Sequence, residues 1–307
     1  MVEILTDQFH GYQLVVSPER IKRPRVQDPG DCPFCPGREE QTPETRARHP
    51  ETGAWQLRSF ENKYPIFSPK DRPNSGYQEV LVESPDHTQK PDRFSVEQVK
   101  ALLYFVRQRL LSVSRGEPSC HYVTWFKNEG KLAGATINHA HSQIVRLNFL
   151  PHDLEKKYRR VHRAVLSGMG CPFCKRHKQE EALLENREFK LIVNPTGCLP
   201  FEMQILPTKH VTHFEKMKSE SLDALAPVLL GGLQALTAMK AGMDYNVILH
   251  NGLYHNNWNF HWHLTIIPRL TQFAGLELAT GFNVMPIAPK ESFAVLKKYI
   301  NEVKRVI

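Results

Sequence analysis

At 307 residues, with 41% hydrophobic and 23% charged residues, the chain is long enough for two domains or one duplicated domain and too apolar for wholesale disorder. Its 40 Lys+Arg against 32 Asp+Glu give a net charge of +8, which points to anionic partners: phosphates, nucleic acid or lipid. No apolar run approaches the roughly 20 residues of a bilayer span, and MVEILTDQFHGYQLVV lacks the blocks of a secretion signal, so a cytoplasmic protein without membrane contact is expected.

The six cysteines include two identical CPFC units, Cys32–Cys35 and Cys171–Cys174. In a cytoplasmic chain this pattern argues for metal rather than disulfides. What lies between and after them repeats as well. In chain order, residues 36–55 and 66–77 read as loops. An extended run from Glu79 to Val82 leads to His87. Ser95 with Gln98 forms a capping box, Phe94 and Val99 a staple, and Val96, Val99, Leu103, Val106, Leu110 and Val113 recur at helical spacing. A strand over 121–128 ends in Asn128, and His139-Ala140-His141 opens the next strand. A basic segment near 150–168 predicts a helical connector. Then the order returns: CPFC, a strand over 202–206 leading to His210, a helix from about Ser221 to near Gly242, a strand over 245–251, and His261-Trp262-His263 leading into LTIIPR. The expectation is an α+β chain, two antiparallel half-sheets with packed helices: an N-terminal half over 1–150 and a C-terminal repeat over 151–307.

A CxxC puts two thiolates on one turn, which suits tetrahedral zinc; two more ligands are needed. The repeat supplies them as Cys32, Cys35, His87 and His139, and as Cys171, Cys174, His210 and His261. The alternative for an isolated CxxC is a pair of small buried side chains. The Cys-to-His gaps of 52 and 36 residues exclude a finger module. Four protein ligands leave no open position, so both zincs are expected to be structural. Cys120 and Cys198 fall outside the pattern and read as ordinary core or loop thiols.

On a strand, His139, His141 and Gln143 share a face. This HAHSQ, inside KNEGKLAGATINHAHSQ, resembles the active-site motif of the histidine-triad superfamily, and its Gln matches the galactose-1-phosphate uridylyltransferase family. The resemblance covers nearly the whole chain and implies a duplicated histidine-triad-like fold and a homodimer. It implies His141 as the nucleophile that accepts a nucleoside monophosphate, His139 as the zinc ligand beside it, and Gln143 as a hydrogen-bond partner of the phosphoryl group. It further implies phosphate contacts at Asn128 and Thr136, and a ribose contact at Asn62 within FENKYP. A neutral imidazole is a competent nucleophile, and Gln cannot act as a general acid, which suits a sugar-phosphate or phosphate leaving group.

In the second half His263 stands at the nucleophile's position but Thr265 replaces the Gln. His263 therefore reads as a buried, hydrogen-bonded residue or a substrate contact. A second Cys2His2 set, and the stretch 260–291, resemble the ADP-glucose phosphorylase branch. There Glu277, Gly281 and Asn283 are candidate sugar-phosphate contacts, with a solvated loop as the equal alternative. The expected partners are a sugar nucleotide and a sugar phosphate or inorganic phosphate. A dinucleoside-polyphosphate phosphorylase on the same fold is one alternative. The other is a zinc-dependent nucleic-acid-binding protein, which the scattered basic residues do not favour.

Overall fold

The structure is a computed structural model and describes residues 3–8, 11, 13–26, 28–49, 54–67, 75–115, 117–255 and 258–306. The chain opens with a hairpin, β1 (Glu3–Thr6) and β2 (Gln13–Val16). The first half then runs β3 (Thr45–His49), β4 (Leu57–Glu61), β5 (Gly76–Val82), α1 (Val96–Ser114), β6 (Tyr122–Glu129) and β7 (His141–Leu147). A connector helix α2 (His152–Leu166) and α3 (Pro172–Gln179) follow. The second half runs β8 (Leu184–Glu185), β9 (Phe189–Val193), β10 (Met203–Pro207), α4 (Ser219–Met239), β11 (Tyr245–His250) and β12 (His263–Pro268), then α5 (Gly275–Thr280) and α6 (Pro289–Val306).

The strand order in the sheet is β3-β4-β5-β7-β6-β11-β12-β10-β9-β8, with every pairing antiparallel. The order β4-β5-β7-β6 is mirrored by β9-β10-β12-β11. The two expected half-sheets are thus one sheet, joined where β6 pairs β11 with Asn128 opposite Asn246. An unpaired strand edge in each half would expose a row of N–H and C=O groups, and pairing the two edges removes both.

Helices α1, α2 and α4 lie where the sequence predicts them, with the Ser95–Gln98 capping box closing the start of α1 in both directions, whereas α3, α5 and α6 are not among the expected elements. Two further details differ from the sequence reading. Part of the stretch expected as loop over 36–55 is β3, a polar edge strand whose Thr-Arg-Ala-Arg-His sequence carries no apolar alternation. And α4 is long and apolar enough to cross a membrane by length and composition. It instead packs between α1 and α6, with Leu222, Leu225, Leu229, Leu233 and Leu236 buried. The core beneath the sheet draws on both halves, from Leu57, Leu103 and Trp125 to Leu233, Trp262 and Leu296.

Candidate active site

The HAH segment lies at the start of β7, and the neighbouring end of β5 holds it. Glu83 donates its N–H to the Ala140 carbonyl at 3.0 Å. The His139 ring meets the Ser84 carbonyl at 2.7 Å through Nε2, which leaves Nδ1 for the cysteines. Cys32 and Cys35 each have Sγ 3.6 Å from His139 Nδ1, and Cys35 Sγ is 3.6 Å from His87 Nδ1. All four donor atoms lie within 4.8 Å of one another. A tetrahedral zinc with Zn–S near 2.3 Å and Zn–N near 2.0–2.1 Å sets its S and N ligands about 3.6 Å apart, so the donor set fits that ion. The carbonyl on the far ring nitrogen is the outer-shell partner that metal-bound histidines use.

Cys171, Cys174, His210 and His261 form a second such group, with Cys174 Sγ 3.3 Å from both His210 Nδ1 and His261 Nδ1. Here CPFC begins a helix, with Pro172 at its first position. Burial works to raise the Cys171 thiol, but hydrogen bonds with His210 and His261 outweigh it and bring it down to about 5, which favours the thiolate that a metal needs. Of the remaining thiols, Cys120 is buried and Cys198 exposed.

His141 and Gln143 project from β7 into a pocket of about 380 Å3. Its apolar wall includes Phe34 and Phe60, and Arg23 and Lys63 bring positive charge to it. His141 Nδ1 is 2.8 Å from the His139 carbonyl. A carbonyl only accepts, so Nδ1 carries the proton and Nε2 keeps its lone pair for the pocket. Burial, and after it the charge of Lys127, push His141 down to about 4, so the imidazole is neutral near pH 7. Phe34 of the first CPFC packs its ring edge-on against it at 5.3 Å between centroids.

Lys127 is buried and donates to Glu83 Oε2 at 2.8 Å and to the His141 carbonyl at 3.0 Å, with Glu129 Oε2 at 3.2 Å. Asn62 and Thr136 both line the pocket, and Arg23 donates to Thr136 Oγ1 at 3.3 Å. Asn128 does not line it. Its Oδ1 accepts from Asn246 Nδ2 at 2.8 Å, and Asn246 in turn accepts from Arg269 at 2.6 Å.

The second-half candidates are not brought to this pocket. Glu277 accepts from the N–H of Ala274 at the start of α5, Gly281 ends that helix at φ 72°, and Asn283 donates to Cys198 Sγ at 3.5 Å. Local capping explains the first two. His263 takes the buried, hydrogen-bonded alternative: its Nδ1 meets the His261 carbonyl, and its ring lies against Phe173 at 4.3 Å and His250 at 4.6 Å. Arg176, with its guanidinium over the Phe173 ring at 5.9 Å, donates to Asn194 Oδ1 at 3.1 Å and Gln204 Oε1 at 2.7 Å. Asn194 follows β9 as Asn62 follows β4, so Arg176 reaches what corresponds to the ribose-contact position.

The residues that sequence reasoning missed are Arg23, Lys63, Gln78, Glu83 and Lys127. Glu83 and Lys127 had a signal, since each is a charge at the end of an apolar strand run, VLVE and VTWFK. The others had none.

The family model described as the N-terminal domain of a domain of unknown function, DUF4931, matches residues 17–150. An ADP-glucose phosphorylase of Arabidopsis thaliana is 26% identical over 96% of this chain and 92% of its own. A galactose-1-phosphate uridylyltransferase of Thermotoga maritima is 25% identical over 96% of each. The crystal structure of an ADP-glucose phosphorylase from Arabidopsis thaliana with bound ADP-glucose matches with a TM-score of 0.83, over 97% of this chain and 98% of that one. A uridylyltransferase structure, 25% identical, matches with a TM-score of 0.83 over 99% of each chain. The chain is therefore a homologue of these nucleotidyltransferases over nearly its full length, and it shares their fold.

Proposed function

We propose that this homologue of ADP-glucose phosphorylase and galactose-1-phosphate uridylyltransferase is itself a nucleotidyltransferase. It moves a nucleoside monophosphate from a sugar nucleotide to inorganic phosphate or a sugar 1-phosphate, through a covalent nucleotidyl–His141 intermediate. The observation that carries this reading is the His141 ring. It is neutral, its proton is held on Nδ1 by the His139 carbonyl, and its Nε2 is free in a cationic pocket beside an amide.

In the first step His141 Nε2 attacks the α-phosphorus of the sugar nucleotide. The P–N bond forms as the bond to the bridging oxygen breaks, and the sugar 1-phosphate leaves with the electron pair. That leaving group needs no proton, so no general acid is required. The imidazole becomes positive, and the His139 carbonyl on Nδ1 stabilises that charge. In the second step an acceptor oxygen attacks the same phosphorus, the P–N bond breaks, and neutral His141 returns. Gln143 donates to the equatorial oxygens in both steps, with Thr136 as a further phosphate contact and Asn62 at the ribose, both of which line the pocket, whereas Asn128 is held by Asn246 outside it. Zinc held by the two Cys2His2 sets supports the fold and, at the first set, fixes the HAH segment. The sugar nucleotide is an ADP- or UDP-hexose; the resemblance of the second set and of the 260–291 stretch to the ADP-glucose phosphorylase branch supports the former, and the relatives include both kinds of enzyme.

A cytoplasmic homodimer is part of the reading. The exposed apolar side chains Phe273, Leu276, Leu278, Phe282 and Val284, in the stretch that carries Glu277, Gly281 and Asn283, support the assembly. The test is isotope exchange. With labelled glucose 1-phosphate and ADP-glucose or UDP-glucose, and no other acceptor, label is expected to enter the sugar nucleotide. Net turnover with phosphate but no exchange without it would contradict a covalent intermediate.

A further inference from the structure

Gln78 takes no part in the chemistry just described. On β5 it lies diagonally across from Gln143, because Val80 is paired with Gln143 and Gln78 with Val145 on the same face. It is buried, and its side chain lies in a relay whose direction can be read from the backbone. The Ile66 N–H can only donate, and it meets one end of the Gln78 amide at 2.7 Å, so that end is Oε1. The other end, Nε2, then donates to Gln143 at 2.6 Å, and the Gln143 atom there is its Oε1. A second relay agrees. The Tyr64 N–H donates to Asn62 Oδ1 at 2.9 Å, which leaves Asn62 Nδ2 to donate to the same Gln143 Oε1 at 3.3 Å. Amide ends are otherwise assigned from their surroundings, and here two backbone donors fix them independently.

We propose that Gln78 is a positioning residue: it ties down the carbonyl of Gln143 so that the NH2 group, and not the oxygen, faces the phosphoryl group. The inference rests on the nucleotidyltransferase reading. An unrestrained amide presents either end. The equatorial oxygens gain negative charge as phosphorus is attacked, so a donor there stabilises the transition state and an oxygen would repel it. The Asn62 contact is longer than the Gln78 contact, so Gln78 carries the larger share of the restraint.

The test is a double-mutant cycle on the rate of His141 nucleotidylation at saturating sugar nucleotide. Gln78→Glu keeps the acceptor for Ile66 but has no amide donor. We expect a loss of about 100-fold in rate with KM within about 3-fold, the pattern of an interaction made only in the transition state. Gln78→Met keeps the chain length without polar atoms and leaves the Asn62 relay, so a loss of about 10-fold is expected; it also serves if the Glu variant does not fold. In a Gln143→Ala background neither substitution should slow the reaction further. Equal losses in both backgrounds, or wild-type rates for Gln78→Glu, would overturn the inference while leaving the reading intact. If the wild-type protein forms no adduct with ADP-glucose or UDP-glucose, the reading falls and the inference with it.

Discussion

Lys127 shows how much of the site depends on single buried groups. Its ammonium is shared among Glu83, Glu129 and the His141 carbonyl, with its side chain 3% exposed. Burial alone would depress it, but the two carboxylates more than offset this and raise it above the usual lysine value. Lys127→Met strands buried carboxylates and is expected to cost on the order of 3–5 kcal/mol of stability, read by chemical denaturation, whereas Lys127→Arg retains a cation. A change within about 0.5 kcal/mol for Lys127→Met would show that the pair is not needed. His141 and Gln143 were legible in the sequence because a strand puts i and i+2 on one face. Lys127, Glu83 and Gln78 were not assigned roles because their partners lie 44 and 65 residues away. Only the strand register brings them together.

At the scale of the element, the segment between β6 and β7 decides where Thr136 and the HAH motif sit. Gly130 turns it with φ +83°, and a Cβ there would run into the Asp244 carboxylate. That same carboxylate accepts the Leu132 N–H at 2.6 Å. Further on, Val26 bridges Ile137 in parallel, donating to the Thr136 carbonyl at 2.9 Å and accepting from the Asn138 N–H at 3.0 Å. Gly130→Ala therefore meets both positive-φ strain and a steric block, and is expected to cost about 2 kcal/mol or more. Thermal unfolding checks this, and an unchanged melting temperature would contradict it. The glycine-bearing motif was visible in the sequence, but the reason for its first glycine was not, because Asp244 comes from the other half of the chain. Helices α1 and α4 were legible from their apolar periodicity, α1 also from its capping box, whereas α3, α5 and α6 were not read from the sequence. The edge strand β3 was not, since it carries no apolar alternation.

Over the whole molecule, the repeat seen in the sequence is the repeat of the sheet, and the repeat was legible because each half carries its own ligand set. The join between halves was hidden, because β6 and β11 read the same whether they pair with each other or lie at free edges. The two ligand sets serve different halves of this sheet. The first reaches the reacting histidine through His139, two residues from His141; the second reaches only His263, packed against Phe173 and His250. Metal analysis is expected to find two zinc ions per chain, one lost in Cys35→Ser and one in Cys174→Ser. Both losses should lower the melting temperature, since structural zinc contributes directly to folding. Adduct formation should disappear in Cys35→Ser and persist in Cys174→Ser. Full metal content in either variant would remove that Cys from the ligand set.

The central claim, that His141 is a nucleophile toward phosphorus, is tested most directly by intact-protein mass measurement after mixing with ADP-glucose or UDP-glucose. A gain of one nucleoside monophosphate per chain is expected, mapped to the peptide holding His141, reversed by phosphate or a sugar 1-phosphate, and absent in a folded, zinc-loaded His141→Asn variant. An adduct that persists in that variant, or turnover of the sugar nucleotide with no adduct at any time, would contradict it.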